Sequence, residues 1–341
     1  MKDFGSLKNG QKVTLYVLQN DQIKVAISDY GASLISIWVK DKNGTPQDVV
    51  LGFEDASGYE QDNSTYIGCN VGRFANRVNN AKFTLNDKTY LLDKNEGENT
   101  LHSGFHPYSK RIWEVKSTTE DSISLSLNSP DGDQGFPGDL DLTITYRVEG
   151  NALKIIYDGI CNKDTMISLT NHSYFNLNGQ GNGDVLNHIV KINADYFIPI
   201  DARSIPTGEI SSVKGTPMDF TQPKEIGKEI EADFEQLKLA KGYDHNWCIN
   251  DYDGSVREAV VAKSDLTGIQ MTVLSNYPGI QMYTGNYLQD TPGKNGAIYD
   301  FRNGICFEAQ YYPDAVNNEQ FVSPICKANE PYHKEIIFQF D

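Results

Sequence analysis

Two side chains in this sequence have the chemistry for proton transfer. His172 lies in the polar and aromatic segment SLTNHSYFNL (168–177), and Glu308 lies in the apolar segment ICFEA (305–309). A carboxylate is costly to bury in such a strand and needs a reason to be there. Burial also raises its pKa toward the range of a general acid or base, and an imidazole already titrates near neutral pH. The structural alternatives are a hydrogen-bonded core histidine and a glutamate on the exposed face of an edge strand.

The segment around His172 resembles the T-N-H-x-Y-F-N-L signature of the aldose 1-epimerase family, and this match is long and specific. Further segments match other motifs of that family in the expected order. They are GRFANR (72–77), NE with NTLHSG (95–96 and 99–104), DG with GFPG (131–132 and 135–138), GYDH (242–245), GIQMYTGN (279–286) and GICFEAQ (304–310). Ser103 stands where the family more often has glycine. The resemblance covers nearly the whole chain.

The resemblance implies an all-β fold, a galactose mutarotase-like β-supersandwich of large, curved antiparallel sheets with few short helices and an open sugar cleft. It also implies one domain over residues 1–341 and an enzyme that interconverts the α and β anomers of free hexoses such as galactose and glucose. Glu308 is then the base and His172 the acid. The residues expected to bind the sugar are Asn76, Arg77, His102, Tyr174, Asp244 and Gln281.

Exchange of anomers needs one acid and one base, placed on either side of C1. The ring opens when one proton leaves the C1 hydroxyl and another reaches the ring oxygen. The aldehyde then turns about C1–C2 and closes on its other face with the proton roles reversed. Each catalytic group typically contributes about 10²–10⁴-fold. Because no carbon changes oxidation state, we expect neither a cofactor nor a metal.

Other candidate residues have competing explanations. Arg73 is either a cleft residue or part of a structural ion pair, and Trp247 is either a stacking platform or, as we expect, a core residue. His102 and His106 are four apart, but the loop around Pro107 excludes the helix that an H-x-x-x-H zinc pair would use. A hydrolase is disfavoured because the sequence has no G-x-S-x-G nucleophile elbow.

Strand-like alternation dominates the rest of the chain. Residues 140–148 alternate apolar and mostly polar side chains, which puts one face of a strand on a core. Turn residues at 86–87 and 149–151 predict hairpins. Apolar residues at helical spacing over 223–237 predict a helix with Pro223 near its first turn. The G-x-G spacing within 178–183 follows no strand–helix pattern, so we expect no dinucleotide site.

Composition and charge restrict the partners and the compartment. The net charge of −16 disfavours nucleic acid and membrane partners, because both carry negative charge. Five dispersed cysteines and an N-terminus without an apolar segment favour a cytoplasmic protein, with a cleaved signal peptide as the alternative. A monomer and a homodimer both fit the sequence.

Two rival functions stay open on the same fold. A hexose-6-phosphate 1-epimerase needs basic residues near the C6 phosphate. A non-catalytic sugar-binding protein would be favoured by loss of Glu308 or His172, and both residues are present.

Overall fold

Antiparallel strands are the main secondary structure of the computed structural model, which describes residues 1–62 and 64–341. The strands are β1 (Lys2–Ser6), β2 (Lys12–Gln19), β3 (Lys24–Ser28), β4 (Leu34–Lys40), β5 (Pro46–Asp48), β6 (Asn70–Val71), β7 (Arg77–Val78), β8 (Lys82–Leu85), β9 (Lys88–Leu91), β10 (Thr100–Leu101), β11 (Glu114–Thr118), β12 (Ser122–Ser129), β13 (Leu140–Glu149), β14 (Ala152–Cys161), β15 (Thr165–Met166), β16 (Thr170–Asn171), β17 (Tyr174–Phe175), β18 (Ile189–Ile192), β19 (Tyr196–Ile198), β20 (Ser211–Ser212), β21 (Lys224–Glu225), β22 (Asp244–Cys248), β23 (Arg257–Lys263), β24 (Gln270–Ser275), β25 (Gly279–Tyr283), β26 (Thr291–Pro292), β27 (Ile298–Tyr299), β28 (Ile305–Gln310), β29 (Ile325–Cys326) and β30 (Pro331–Phe340). The α-helices described are α1 (Ala56–Gln61) and α2 (Glu235–Ala240).

The larger sheets have nine, six and five strands. Their orders are β11-β12-β13-β14-β30-β24-β23-β18-β21, β17-β28-β25-β22-β19-β20 and β1-β2-β3-β4-β5. In β13, buried residues alternate with more exposed ones along the whole strand, as the sequence pattern predicts. The predicted all-β class with few short helices is confirmed.

The six-stranded sheet has one apolar and one polar face, and this division positions the functional residues. Its apolar face packs against the nine-stranded sheet, where the rings of Phe175 and Phe338 have centroids 4.8 Å apart. Trp247, Ile280 and Phe307 share that core. Burying each such side chain contributes about 1.5–3 kcal/mol. The neighbouring positions on each strand point the other way and carry the polar side chains described below.

Both predicted hairpins are confirmed. β8 and β9 flank Asn86 and Asp87, whose φ angles of 52° and 60° are those of a type I′ turn. β13 and β14 pair from Glu149 opposite Ala152. The two-residue connections hold these strands in a fixed register.

The predicted helix over 223–237 is wrong. The segment contains β21, a 3-10 turn at Ile226–Lys228 and only the first residues of α2. The backbone N–H of Ile226 donates to the carbonyl of His188 on a neighbouring segment, 3.0 Å away, instead of closing a helical turn. Ile226, Ile230 and Leu237 are buried all the same, so their apolar spacing reflects core contacts made without a continuous helix.

The described α-helices, α1 and α2, have six residues each. None of the helices described is long and apolar enough to cross a bilayer.

Candidate active site

A cleft of about 880 Å³ opens on the polar face of the six-stranded sheet. The sheet supplies part of its wall, and loops on either side supply the rest. Among the predicted site residues, those lining the cleft are Asn76, Arg77, His102, His172, Tyr174, Asp244 and Glu308. A volume of this size is ordinary for a site that encloses a small molecule.

Glu308 and His172 face each other inside the cleft. Oε1 of Glu308 lies 3.6 Å from Nε2 of His172, and both side chains are almost completely buried. Burial raises the pKa of Glu308 well above its usual range, and the Asp244 carboxylate adds to the effect while Arg77 opposes it. Burial also lowers the pKa of His172 to about 4. The two groups are therefore arranged to exchange protons with a molecule that lies beside both of them in the cleft.

The backbone fixes the position of His172. It lies in the short connection between β16 and β17, where its N–H donates to the carbonyl of Cys69 at 2.8 Å. Nδ1 of its ring lies 3.5 Å from Sγ of Cys306 on β28. The ring of Tyr174 packs alongside it, with centroids 5.1 Å apart. The imidazole thus has a defined orientation before any substrate binds.

His102 is held as a neutral hydrogen-bond donor. The backbone N–H of Asn76 donates to Nδ1 of His102 at 3.2 Å, so the ring proton of the neutral imidazole is on Nε2. Burial, with His172 and Arg77 nearby, lowers the pKa of His102 well below its usual range. His102 can therefore donate one hydrogen bond to an oxygen in the cleft.

Three charged side chains also line the cleft: Arg77, Glu96 and Asp244. Arg77 donates through Nε and Nη2 to both carboxylate oxygens of Glu96, at 2.7 and 2.8 Å. This bidentate pair uses two of the five guanidinium N–H groups. Nε2 of Gln281 donates to Oδ1 of Asp244 at 2.7 Å. Burial raises the pKa of Asp244, and Arg77 counteracts this shift.

Two predicted binding residues have other contacts. Tyr174 lines the cleft, and its hydroxyl donates to the backbone carbonyl of Thr65 at 2.8 Å, so this O–H is already used within the protein. Nε2 of Gln281 donates to Oδ1 of Asp244, and Gln281 pairs with Glu308 in the β25–β28 register. Its side chain thus orients a carboxylate of the cleft.

The structure decides between the alternatives for Arg73 and Trp247. Arg73 is fully buried and donates to backbone carbonyls, including those of Pro137 at 2.8 Å and Gly138 at 3.1 Å. Its role is therefore structural, and carbonyl oxygens rather than an ion-pair partner accept these hydrogen bonds. Trp247 is a core residue, as expected, and its indole N–H donates to the carbonyl of Met218 at 3.0 Å.

Over residues 1–62 and 64–341, no group of three or more His, Cys, Asp or Glu side chains is arranged to hold an ion.

Sequence reasoning missed several cleft residues that come from loops. Tyr66 has a φ of 54° and packs its ring 4.6 Å from that of His102. Such a backbone conformation is uncommon for an aromatic residue and marks a constrained site. Glu96 lies within a motif quoted above, and the need of the Arg77 guanidinium for a carboxylate partner was the signal that could have identified it. Tyr287 from the loop after β25 also lines the cleft, as does Tyr283, the last residue of β25 itself.

Comparison with known proteins shows similarity to aldose 1-epimerases over nearly the whole chain. Residues 14–339 match the family model of aldose 1-epimerase. The chain is 40% identical to the galactose mutarotase of Bos taurus, covering 99% of this chain and 97% of the relative. It is 34% identical to the aldose 1-epimerase of Escherichia coli K12, covering 97% and 96%. A crystal structure of an aldose epimerase homologue from C. elegans superposes with a TM-score of 0.88 at 30% identity, covering 96% and 99%.

The chain belongs to the aldose 1-epimerase family, and it is an isomerase of that family with the galactose mutarotase fold. The family and fold predicted from the sequence are confirmed.

Proposed function

We propose that this protein interconverts the α and β anomers of free aldohexoses, with Glu308 as the base and His172 as the acid. The observation that carries the proposal is the buried pair itself. One carboxylate and one imidazole, 3.6 Å apart, face a cleft of sufficient size. The galactose mutarotases among its relatives favour galactose as one substrate.

The pair carries one exchangeable proton through the whole reaction. During ring opening, the Glu308 carboxylate accepts the proton of the C1 hydroxyl and the His172 imidazolium gives one to the ring oxygen. Afterwards the pair is a carboxylic acid and a neutral imidazole. Burial favours this second arrangement in the free site. Arg77 lowers the pKa of Glu308 and so favours the first. Closure on the other face of the aldehyde restores the starting state.

The other cleft residues hold the hydroxyl groups. His102 donates through Nε2, Arg77 and Asn76 supply further N–H donors, and Asp244 accepts from a hydroxyl. The ring of Tyr174 closes one side of the cleft beside His172. These contacts bind the sugar in both anomeric forms, so they affect KM more than kcat.

A free hexose is a better fit than a hexose 6-phosphate. Among the described residues that line the cleft, the basic side chains each have a partner already. Lys110 donates to the carbonyl of Tyr59 at 2.6 Å, Arg77 is paired with Glu96, and Arg203 contacts Asp201 at 2.8 Å. A phosphate would have to compete for cations that carboxylates and carbonyls occupy.

We further propose that residues 1–341 act as one domain in the cytoplasm. The main core cluster draws side chains from the nine-, six- and five-stranded sheets together, including Ile144, Phe307 and Ile27. All five cysteines are free thiols, which supports a reducing compartment.

Polarimetry tests the proposed function directly. Freshly dissolved α-galactose and α-glucose are followed with and without the protein. We expect optical rotation to reach equilibrium faster with the protein, in proportion to its concentration. Equal rates in both samples for every aldose tried would refute the proposal.

A further inference from the structure

Both ring nitrogens of His172 face side chains of the same strand, β28. Nε2 lies 3.6 Å from Oε1 of Glu308, and Nδ1 lies 3.5 Å from Sγ of Cys306. Cys306 and Glu308 are two residues apart in a strand, so their side chains share one face. Cys306 is completely buried. A single strand therefore contacts both ends of the imidazole.

Proton exchange at Nε2 places a requirement on Nδ1. During ring closure, the neutral imidazole must accept a proton at Nε2, so its own proton must then be on Nδ1. An imidazole with its only proton on Nε2 has no lone pair there to accept another. The reaction therefore needs a group that accepts a hydrogen bond from the Nδ1–H of His172.

We propose that Cys306 is a positioning residue whose sulfur accepts the hydrogen bond from Nδ1–H of His172 and so holds the productive tautomer. This inference rests on the proposed function and adds a residue to it. The 3.5 Å contact lies within the range of hydrogen bonds to sulfur. Burial raises the pKa of the Cys306 thiol well above its usual range, with the nearby carboxylates adding to the effect. The sulfur is thus a neutral, weak acceptor.

The contact has one competing interpretation. If the thiol donates its S–H to Nδ1, the neutral ring carries its proton on Nε2, as His102 does. His172 would then be a fixed donor at Nε2, and it could not accept the proton that ring closure returns. The two interpretations predict opposite tautomers, which makes the tautomer the measurement of choice.

Nitrogen-15 NMR on protein labelled at histidine provides that measurement. At pH 7 the His172 ring is neutral, because its pKa is about 4. Its signals are identified by their loss in His172→Asn. In the wild type we expect a protonated Nδ1 and an unprotonated Nε2. In Cys306→Ala we expect a mixture of tautomers, and kcat for galactose should fall about 2- to 10-fold, the effect of one net hydrogen bond, with little change in KM.

Two further variants control the test. Cys306→Ser keeps an acceptor at the same position and should keep the Nδ1–H tautomer and most of the activity. Cys161→Ala removes an equally buried thiol from β14 and should change neither the His172 signals nor kcat.

Particular results would overturn the proposal. A wild-type His172 protonated on Nε2 would do so, and so would a tautomer that is unchanged in Cys306→Ala. If circular dichroism shows that Cys306→Ala is unfolded, the nitrogen-15 spectra of the wild type and Cys306→Ser still decide between the two tautomers. Failure of the proposed function is recognised separately, because polarimetry of the wild type would then show no acceleration whatever tautomer is found.

Discussion

Gln281 is expected to control sugar binding through its hydrogen bond to Asp244. It donates to Oδ1 of Asp244 at 2.7 Å, and its own side chain is almost fully buried. A hydrogen bond to a charged group contributes about 1.5–3 kcal/mol, and a tenfold change in affinity corresponds to about 1.4 kcal/mol. Replacing Gln281 with Leu leaves the Asp244 carboxylate unoriented. We therefore expect KM for galactose to rise about 10- to 100-fold, with a smaller change in kcat.

The pH dependence of KM is a second consequence of the hydrogen bond from Gln281 to Asp244. The bond from Gln281 lowers the pKa of Asp244, in opposition to burial. Without it, the carboxylate takes up a proton at higher pH. Binding that depends on the ionised Asp244 is present above its pKa and is lost as the pH falls through it. In Gln281→Leu this loss should begin at a higher pH than in the wild type.

A double-mutant cycle measures whether the effect passes through Asp244. Polarimetric KM values are compared for the wild type, Gln281→Leu, Asp244→Asn and the double variant. Once Asp244 has lost its charge, the leucine substitution should change KM by less than about threefold, because interacting residues are not additive. A Gln281→Leu protein with KM within twofold of the wild type, or fully multiplicative effects in the cycle, would refute the reasoning.

Further predictions concern stability and selectivity. Lys294→Met should lower the free energy of unfolding in urea by about 3–5 kcal/mol, because it leaves Asp48 buried without its partner at 2.7 Å; a loss below 1 kcal/mol would contradict this. Burial lowers the pKa of Lys334 to about 8, from 10.5 in the unfolded chain. Between these two pH values the unfolded state binds more protons, so the free energy of unfolding of the wild type should rise with pH relative to that of Lys334→Met. A constant difference across that interval would exclude this linkage. Glucose 6-phosphate should give a lower kcat/KM than glucose in the same polarimetric assay, and the reverse order would favour a phosphate-specific epimerase.

The sequence predicted the sheets better than it predicted the helix. In β13, alternating side chains meet alternating environments, so a local pattern carries the structure. In the segment 223–237, the apolar spacing was equally regular. There, hydrogen bonds to a distant part of the chain, such as that from Ile226 to His188, replaced the helical ones. Local spacing contains no information about such partners.

In the candidate site, too, local sequence patterns predict some features, and others depend on tertiary contacts. Glu308 and Asp244 could be predicted because each lies in a motif and on a strand whose opposite face is apolar. The hydrogen bond from Gln281 to Asp244 depends on the β22–β25–β28 register. The contribution of Tyr66 depends on a loop that folds over His102. Both features arise from tertiary contacts between segments far apart in the sequence.

The most direct test of the central claim is kcat of Glu308→Gln, measured by polarimetry on α-galactose. The substitution keeps the size of the side chain and removes the base. We expect kcat to fall about 10²–10⁴-fold, the range for loss of one general acid or base, while KM changes little and circular dichroism shows an intact fold. His172→Asn should give a similar loss, and the double variant should lose far less than the product of the two, because the groups act in one step. A folded Glu308→Gln protein that retains more than about a third of the wild-type kcat would contradict the account, since loss of a general base costs far more than that.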